Sequence, residues 1–236
     1  MESVKILIKF QILTGEEVAK GEFLLESGQV WNGRLLFWEF HWERVRRSVG
    51  EIWPELLTPS RLRELEGEIK KGLETLYFSR WPAGRELVRG RVLYSPTKVK
   101  VELERLGPRQ FQKFKVVEVG DLDYHLKWAN REKLEELKRN GEGADEVIIL
   151  KNRLVTDTTI SNLAFWDWEK GVWITPATPL LRGTTRERLL RRGVLKEAKI
   201  GIEELPRFNL IGMLNGVMGF LPIWNPIYLN LPPWRG

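Results

Sequence analysis

The chain has 236 residues and a formal net charge of +6, with 42% hydrophobic and 30% charged residues, the balance of a folded globular protein rather than a disordered one. It contains no cysteine and only two histidines, His41 and His125, which excludes disulfides, thiolate catalysis, zinc held through sulfur and a histidine-rich metal site. The longest apolar runs, 147–150 and 217–223, fall far short of the roughly 18 residues of a membrane span, and the N-terminus lacks the basic and apolar regions of a secretory signal, so a cytoplasmic protein is expected.

In chain order, residues 4–13, 21–31 and 34–40 carry the partial alternation of strands, and the period turns helical over 40–49. Residues 59–77 read as an amphipathic helix with Leu62, Leu65, Ile69, Leu73 and Leu76 on one face and Thr58 or Ser60 as its cap. Strands at 86–94 and 97–103 should pair as a hairpin through Ser95-Pro96. The turn and mixed stretch at 107–120 suggests a boundary between an N-terminal domain, 1–118, and a C-terminal domain, 119–236. The second half then reads as strand 123–128, helix 131–140, strand 146–150 and, past a tight turn at 151–153, strands 154–157, 162–166 and 172–175. Helices follow at 185–192 and near 202–205, then a strand at 208–214. The tail from Pro222, with four prolines, is expected to be irregular and laid over a surface. The whole is an α/β (α+β) chain in two domains, and its eleven tryptophans are expected to serve packing.

Three segments can carry chemistry. In 124–131, alternation puts His125, Lys127 and Ala129 on one face of a strand. Lys127 there is either a solvated lysine on an open sheet or, if desolvated in a cleft, a nucleophile toward a carbonyl. The segment 154–163 is a polar turn between strands, rich in the residues turns favour, and contains Asp157, Thr158, Thr159 and Asn162. In 180–187, Thr184 and Glu187 have the spacing of a capping box that opens a helix. A helix start also attracts phosphate, because its amide hydrogens lack carbonyl partners.

The order and spacing of these segments resemble the class IV aminotransferases, the fold type IV pyridoxal-phosphate enzymes. That family has a strand bearing the cofactor lysine, a helix, an apolar strand, a Val-Thr-Glu-x-x-x-x-Asn turn, and a Thr-Pro-x-x-x-x-Leu-x-Gly-x-Thr-Arg segment. Here Val155-Thr156-Asp157 to Asn162 matches the turn except at its acid, and Thr175-Pro176 to Thr185-Arg186 matches the last segment without a gap. In the first half, Leu25-Glu26-Ser27 looks like the family's Phe-Glu-Thr, and His41-x-x-Arg44 like its His-x-x-Arg helix. The resemblance covers residues 21–222. It implies a smaller N-terminal α/β sandwich, a C-terminal pseudo-barrel with flanking helices, pyridoxal 5′-phosphate as cofactor and a homodimer. It implies that Lys127 holds the cofactor aldehyde covalently and shuttles protons, and that Asp157, one methylene shorter than the family's glutamate, pairs with the pyridine nitrogen. Arg44, Thr184 and Thr185 would bind the phosphate. Thr158 and Thr159 would line the same pocket or simply make the turn. Ser27, Arg91 and Asn215 are candidates for substrate contacts, with a solvated arginine and an Asn-Gly hairpin turn as the plainer readings of the last two.

Within the family, compact members with this kind of sequence look most like the aminodeoxychorismate lyases, which release 4-aminobenzoate and pyruvate for folate biosynthesis. Branched-chain and D-amino-acid aminotransferases are the alternatives. The +6 charge suits a small anionic amino substrate. A nucleic-acid-binding protein is the distant alternative, but the basic residues are dispersed among acids, as over 61–71, rather than gathered in a patch with aromatics.

Overall fold

The structure is a computed structural model that describes residues 23–232. The strand expected at 4–13 lies outside the described residues. The chain packs as two compact units: one takes the described residues up to Gly107 together with Leu126–Asn130, and the other takes Pro108–His125 and the residues from Arg131 onward. The division therefore differs from a single cut at 118. It falls before a strand at 113–118, and a short excursion returns the chain to the first unit.

The first unit is an antiparallel sheet covered on one face by two helices. Its strands are β1 (Leu24–Trp31), β2 (Arg34–Leu35), β3 (Val88–Tyr94) and β4 (Val99–Arg105), in the order β2-β1-β3-β4. The strand expected over 34–40 stops after two residues, because Phe37 takes a left-handed backbone and helix α1 (Trp38–Ile52) begins immediately. His41, Arg44, Val45, Ser48 and Val49 are the buried residues of α1, spaced i, i+3, i+4, i+7, i+8 as a single stripe demands. Helix α2 (Pro59–Arg80) starts with Pro59 in its first turn and with Thr58 Oγ1 accepting from the Arg61 amide at 3.3 Å. It buries Ile69, Leu73, Leu76 and Tyr77. These side chains meet Leu24, Val30, Val88, Val92 and Val99 from the facing side of the sheet, with Trp38, Trp42, Trp53, Trp81 and Trp128 packed around the rim.

The expected strand at 123–128 does not form. Leu126–Asn130 is an irregular segment that touches β1 through one antiparallel bridge, Leu24 to Trp128. The Leu25 amide donates to Lys127 O and the Ala129 amide to Phe23 O, both at 2.8 Å. Ala129 packs with Phe23, Leu25 and Leu93, which anchors the segment by burial as well as by hydrogen bonds.

The second unit is built on one mixed sheet. It comprises β5 (Lys113–Glu118), β6 (Glu146–Lys151), β7 (Leu154–Thr158), β8 (Asn162–Asp167), β9 (Val172–Pro176), β10 (Leu195–Ala198), β11 (Leu210–Asn215), β12 (Gly219–Trp224) and β13 (Ile227–Tyr228). The main path runs β10-β9-β8-β7-β6-β5-β13, and the β11–β12 hairpin branches from β8. β6 has a parallel neighbour in β5 and is buried along nearly its whole length, which explains its continuous apolar run. Phe165, Phe208, Ile211, Met213 and Ile148 form the main core, while Leu189 of helix α4 (Thr184–Arg191) packs with Leu195, Ala164 and Leu214. Helix α3 (Glu132–Arg139) lies against β6 and buries Leu134. Trp166, Trp168, Trp173 and Trp224 form a chain of ring contacts with Phe220.

The described part of the tail is ordered rather than irregular. β12 ends at Trp224, β13 adds a parallel edge to β5, and Asn230 bonds both the amide and the carbonyl of Val116, at 2.9 and 2.7 Å.

Candidate functional site

In the first unit the chemistry centres on Glu26, which β1 points toward the helices. It is 1% exposed and faces two side chains of the buried stripe of α1. Arg44 donates through Nε to Oε1 at 2.8 Å and through Nη2 to Oε2 at 2.6 Å, and His41 Nδ1 lies 2.6 Å from Oε2. Burial by itself would raise the Glu26 pKa, but the Arg44 charge and the hydrogen bonds from His41 and Arg44 overcome it and hold the carboxyl at about 2. Burial lowers the His41 pKa, as do the Arg44 and Lys127 charges, against the pull of Glu26, so the imidazole favours its neutral form. Lys127, half-buried, thus acts electrostatically on His41 within the same unit. Gly28 keeps this corner open: a Cβ there would stand 3.0 Å from His41 Nε2.

Ser27 and Arg91 lie opposite each other in the β1–β3 register, on the sheet face away from the helices. Arg91 pairs with Glu102 on β4 at 3.3 Å. Ser27 Oγ and Arg91 Nε are buried without a hydrogen-bond partner among the described residues.

In the second unit Asp157 is the corresponding centre. It is the penultimate residue of β7 and is 4% exposed. Asn162, its partner across the β7–β8 turn, donates through Nδ2 to Oδ1 at 2.7 Å, and the Leu181 amide donates to Oδ2 at 2.9 Å. Burial pushes the Asp157 carboxyl up to about 7, against the Leu181 amide, the Asn162 side chain and the Arg186 charge. Leu181 stands two residues before Gly183, the N-cap of α4.

The capping box expected from Thr184 and Glu187 is not formed. Gly183 takes the cap position without a side-chain cap, Thr184 becomes the first helical residue, and Glu187 turns to Arg186 at 3.3 Å. Thr184 and Thr185 are buried in the first turn, where the leading amides have no carbonyl acceptor within the helix. Arg186, 2% exposed, ties that turn to Pro176 O at 2.8 Å and to Glu197 on β10.

The remaining candidates hold local structure. Thr158 Oγ1 accepts from the amides of Ile160 and Ser161, closing the turn. Thr159 Oγ1 donates to Glu146 at 2.6 Å, while its carbonyl accepts from Arg131. Asn215 Oδ1 accepts from the Val217 and Met218 amides and its Nδ2 donates to Ile160 O, so the plainer hairpin-turn reading describes its contacts. Within the second unit Asp157, Thr158, Thr159 and the start of α4 thus share one neighbourhood. Within the first, Arg44, His41 and Lys127 do. Glu26, His41, Asn162 and Arg186 are among the buried polar residues that stand in the quoted motifs without an assigned role.

The family model for amino-transferase class IV matches residues 24–225. An uncharacterized protein of Haemophilus influenzae is 34% identical over 196 residues, which is 83% of this chain and 98% of that protein. Among solved structures, a candidate 4-amino-4-deoxychorismate lyase from Haemophilus somnus superposes with a TM-score of 0.70 at 28% identity, covering 84% of this chain and 97% of that one. The pyridoxal-phosphate-bound form of a hypothetical aminotransferase from Mycobacterium tuberculosis gives a TM-score of 0.74 at 18% identity, covering 97% and 90%.

Proposed function

The chain belongs to the amino-transferase class IV family, with the mixed α/β fold of the fold type IV enzymes, and from that premise we propose that it is a pyridoxal-phosphate-dependent lyase. Its reaction in this reading converts 4-amino-4-deoxychorismate to 4-aminobenzoate and pyruvate. The observation that carries the cofactor assignment is the buried Asp157 carboxylate, raised to about 7 and gripped by the Asn162 side chain and by the Leu181 amide, two residues before the N-cap of α4. A carboxylate in that setting gains most from a cation it can face, such as a protonated pyridine nitrogen. The first turn of α4, with Thr184 and Thr185 buried beside its amides, suits a phosphate. The residues present therefore fit the cofactor, including the shorter acid. The likeness to the Haemophilus somnus structure supports the lyase reaction in particular.

Pyridoxal phosphate, when bound, supplies an electron sink for negative charge at the reacting carbon. Lys127 would hold the aldehyde covalently. During the reaction its Nζ would take the proton from the ring carbon that bears the amine and return it to the departing pyruvate, so atoms balance and the ring becomes aromatic. Arg44, oriented by Glu26, would add a guanidinium to phosphate binding. Ser27 Oγ and Arg91 Nε, both buried without partners among the described residues, would be donors for a substrate carboxylate. The reading includes a small anionic amine as substrate and a homodimer in solution.

The test is chemical. Purified protein incubated with pyridoxal phosphate should turn yellow, and borohydride should bleach it while fixing the cofactor's mass on the peptide containing Lys127. Protein that stays colourless, or carries the label on another lysine, overturns the assignment. With label on Lys127, formation of 4-aminobenzoate and pyruvate from aminodeoxychorismate supports the lyase. A keto acid from a branched-chain or D-amino acid in its place assigns a transaminase.

A further inference from the structure

The turn that carries the acid and the loop that leads into α4 are far apart in sequence, yet one side chain joins them. Asn162, 5% exposed, sits at the first position of β8, directly across from Asp157. Its amide nitrogen serves two acceptors, Asp157 Oδ1 and Leu181 O, each at 2.7 Å. The Leu181 amide answers with its bond to Asp157 Oδ2. Asp157, Asn162 and Leu181 thus close a ring of three hydrogen bonds. The remaining amide atom, Asn162 Oδ1, lies so near Gly183 that a Cβ on the glycine would stand 2.0 Å from it.

We infer that Asn162 is a positioning residue that fastens the acid to the N-terminus of α4. The carboxylate and the leading amides of the helix would then act as one rigid bracket for a flat ligand with a cationic ring nitrogen at one end and a phosphate at the other. The inference rests on the cofactor reading above and adds to it a residue and a reason for rigidity. Three features of the side chain are needed together: two N–H bonds from one planar nitrogen, a reach short enough to serve the residue opposite, and an oxygen small enough to lie against a glycine. Serine offers a single hydroxyl donor, aspartate brings a second negative charge against Asp157, and glutamine is a methylene too long. Arg186 secures the other flank of the same helical turn by bonding Pro176 O and Glu197, so the bracket is closed from both sides. Arg186 is also the cation from α4 that acts on Asp157.

The inference is tested by ligand binding in the absence of turnover. The probe is 4-deoxypyridoxine 5-phosphate, which has the ring nitrogen and the phosphate but no aldehyde for Lys127. Binding of this probe and of inorganic phosphate is followed from pH 5.5 to 9 for the wild type, Asn162→Ala and Asn162→Ser, with circular dichroism to verify folding. Loss of a hydrogen bond to a charged group predicts about 10- to 100-fold weaker binding of the probe. The acid limb of its pH profile should also move upward, because Asp157 loses a donor that favours its ionised form. Either substitution, whichever folds, gives the answer. Binding within about threefold of wild type with an unmoved pH profile overturns the positioning role, and so does a loss confined to inorganic phosphate. A wild-type protein that does not bind the probe at all overturns the cofactor reading itself and this inference with it.

Discussion

Arg44 grips Glu26 with two parallel bonds, Nε to Oε1 at 2.8 Å and Nη2 to Oε2 at 2.6 Å, and both side chains are almost fully buried. The pair fixes the plane of the guanidinium and thereby the direction of the N–H groups that Glu26 does not use. Removing the carboxylate charge takes from the buried Arg44 guanidinium the counter-charge that Glu26 supplies. Glu26→Gln is therefore expected to cost about 3–5 kcal/mol in urea unfolding at pH 7. The pH dependence checks the cause. Because folding lowers this pKa from 4.5 to about 2, the stabilisation is complete above 4.5 and is lost as pH falls toward 2. Glu26→Gln should flatten the unfolding curve in that window. An equal acid slope in the variant would assign the loss to other carboxylates.

Asp157 has the opposite sign. Its folded pKa, about 7, lies above the ordinary 3.8, so the folded protein prefers the protonated acid. No penalty exists below pH 4. One develops as pH rises from about 4 to about 7 and then stays constant, reaching about 4 kcal/mol at ~1.36 kcal/mol per pH unit. The cofactor-free protein should accordingly lose stability over this interval, and Asp157→Asn should remove the slope. At pH 8 the variant should be more stable by about 1–3 kcal/mol, less than the full penalty because its amide must face one of the two N–H donors with another N–H. Saturating pyridoxal phosphate should reverse the ranking. A cofactor-free wild type whose melting temperature is flat from pH 4 to 8 would show that the acid is not strained.

How far the sequence discloses this arrangement depends on whether the partner is near in the chain. Asp157, Asn162 and Gly183 sit in local patterns, a turn and a helix start, and were legible as such. Order and spacing single out Lys127 as a candidate, but the strand expected around it does not form. The alternation of His125, Lys127 and Ala129 mimics a strand, while the segment is actually held by two backbone bonds to residues about a hundred positions earlier. Glu26 gave no signal of burial, since a glutamate on a strand is ordinarily solvated and only the folded chain brings His41 and Arg44 against it. Strand β12 runs through Pro222, the residue at which the sequence suggests that an irregular tail begins. Pro222 lies on an edge strand, opposite Gly212, where a missing N–H leaves no neighbour unpaired.

The tail offers a direct test of its own order. Asn230 donates to Val116 O and accepts from Val116 N, so its side chain stands in for one more residue of a neighbouring strand beside β13. Asn230→Ala should cost about 1–2 kcal/mol through two unpaired backbone groups. The loss should be local: hydrogen exchange should quicken at Val116 and at Leu229, whose amide bonds Phe114 O, before it does in β6. Unchanged protection at Val116 would mean that the tail contributes nothing to the edge.

Gly183 has an ordinary backbone, φ −75° and ψ 145°, so its need to be glycine is steric and not conformational. The atom that a methyl group would strike, Asn162 Oδ1, belongs to a side chain that could normally swing aside, but this one is pinned by two hydrogen bonds through Nδ2. Gly183→Ala must therefore break those bonds or shift the start of α4, at an expected cost of about 2–4 kcal/mol. The substitution Asn162→Ser removes the obstructing atom, so the two changes should combine for less than their sum, with a coupling of about 1–2 kcal/mol in a double-mutant cycle. Strict additivity would place the strain of Gly183→Ala somewhere other than against Asn162. A cycle that is non-additive in stability and equally so in the affinity for 4-deoxypyridoxine 5-phosphate would tie the packing of this glycine to the ligand end of the helix, because the same pair of atoms would be setting both quantities.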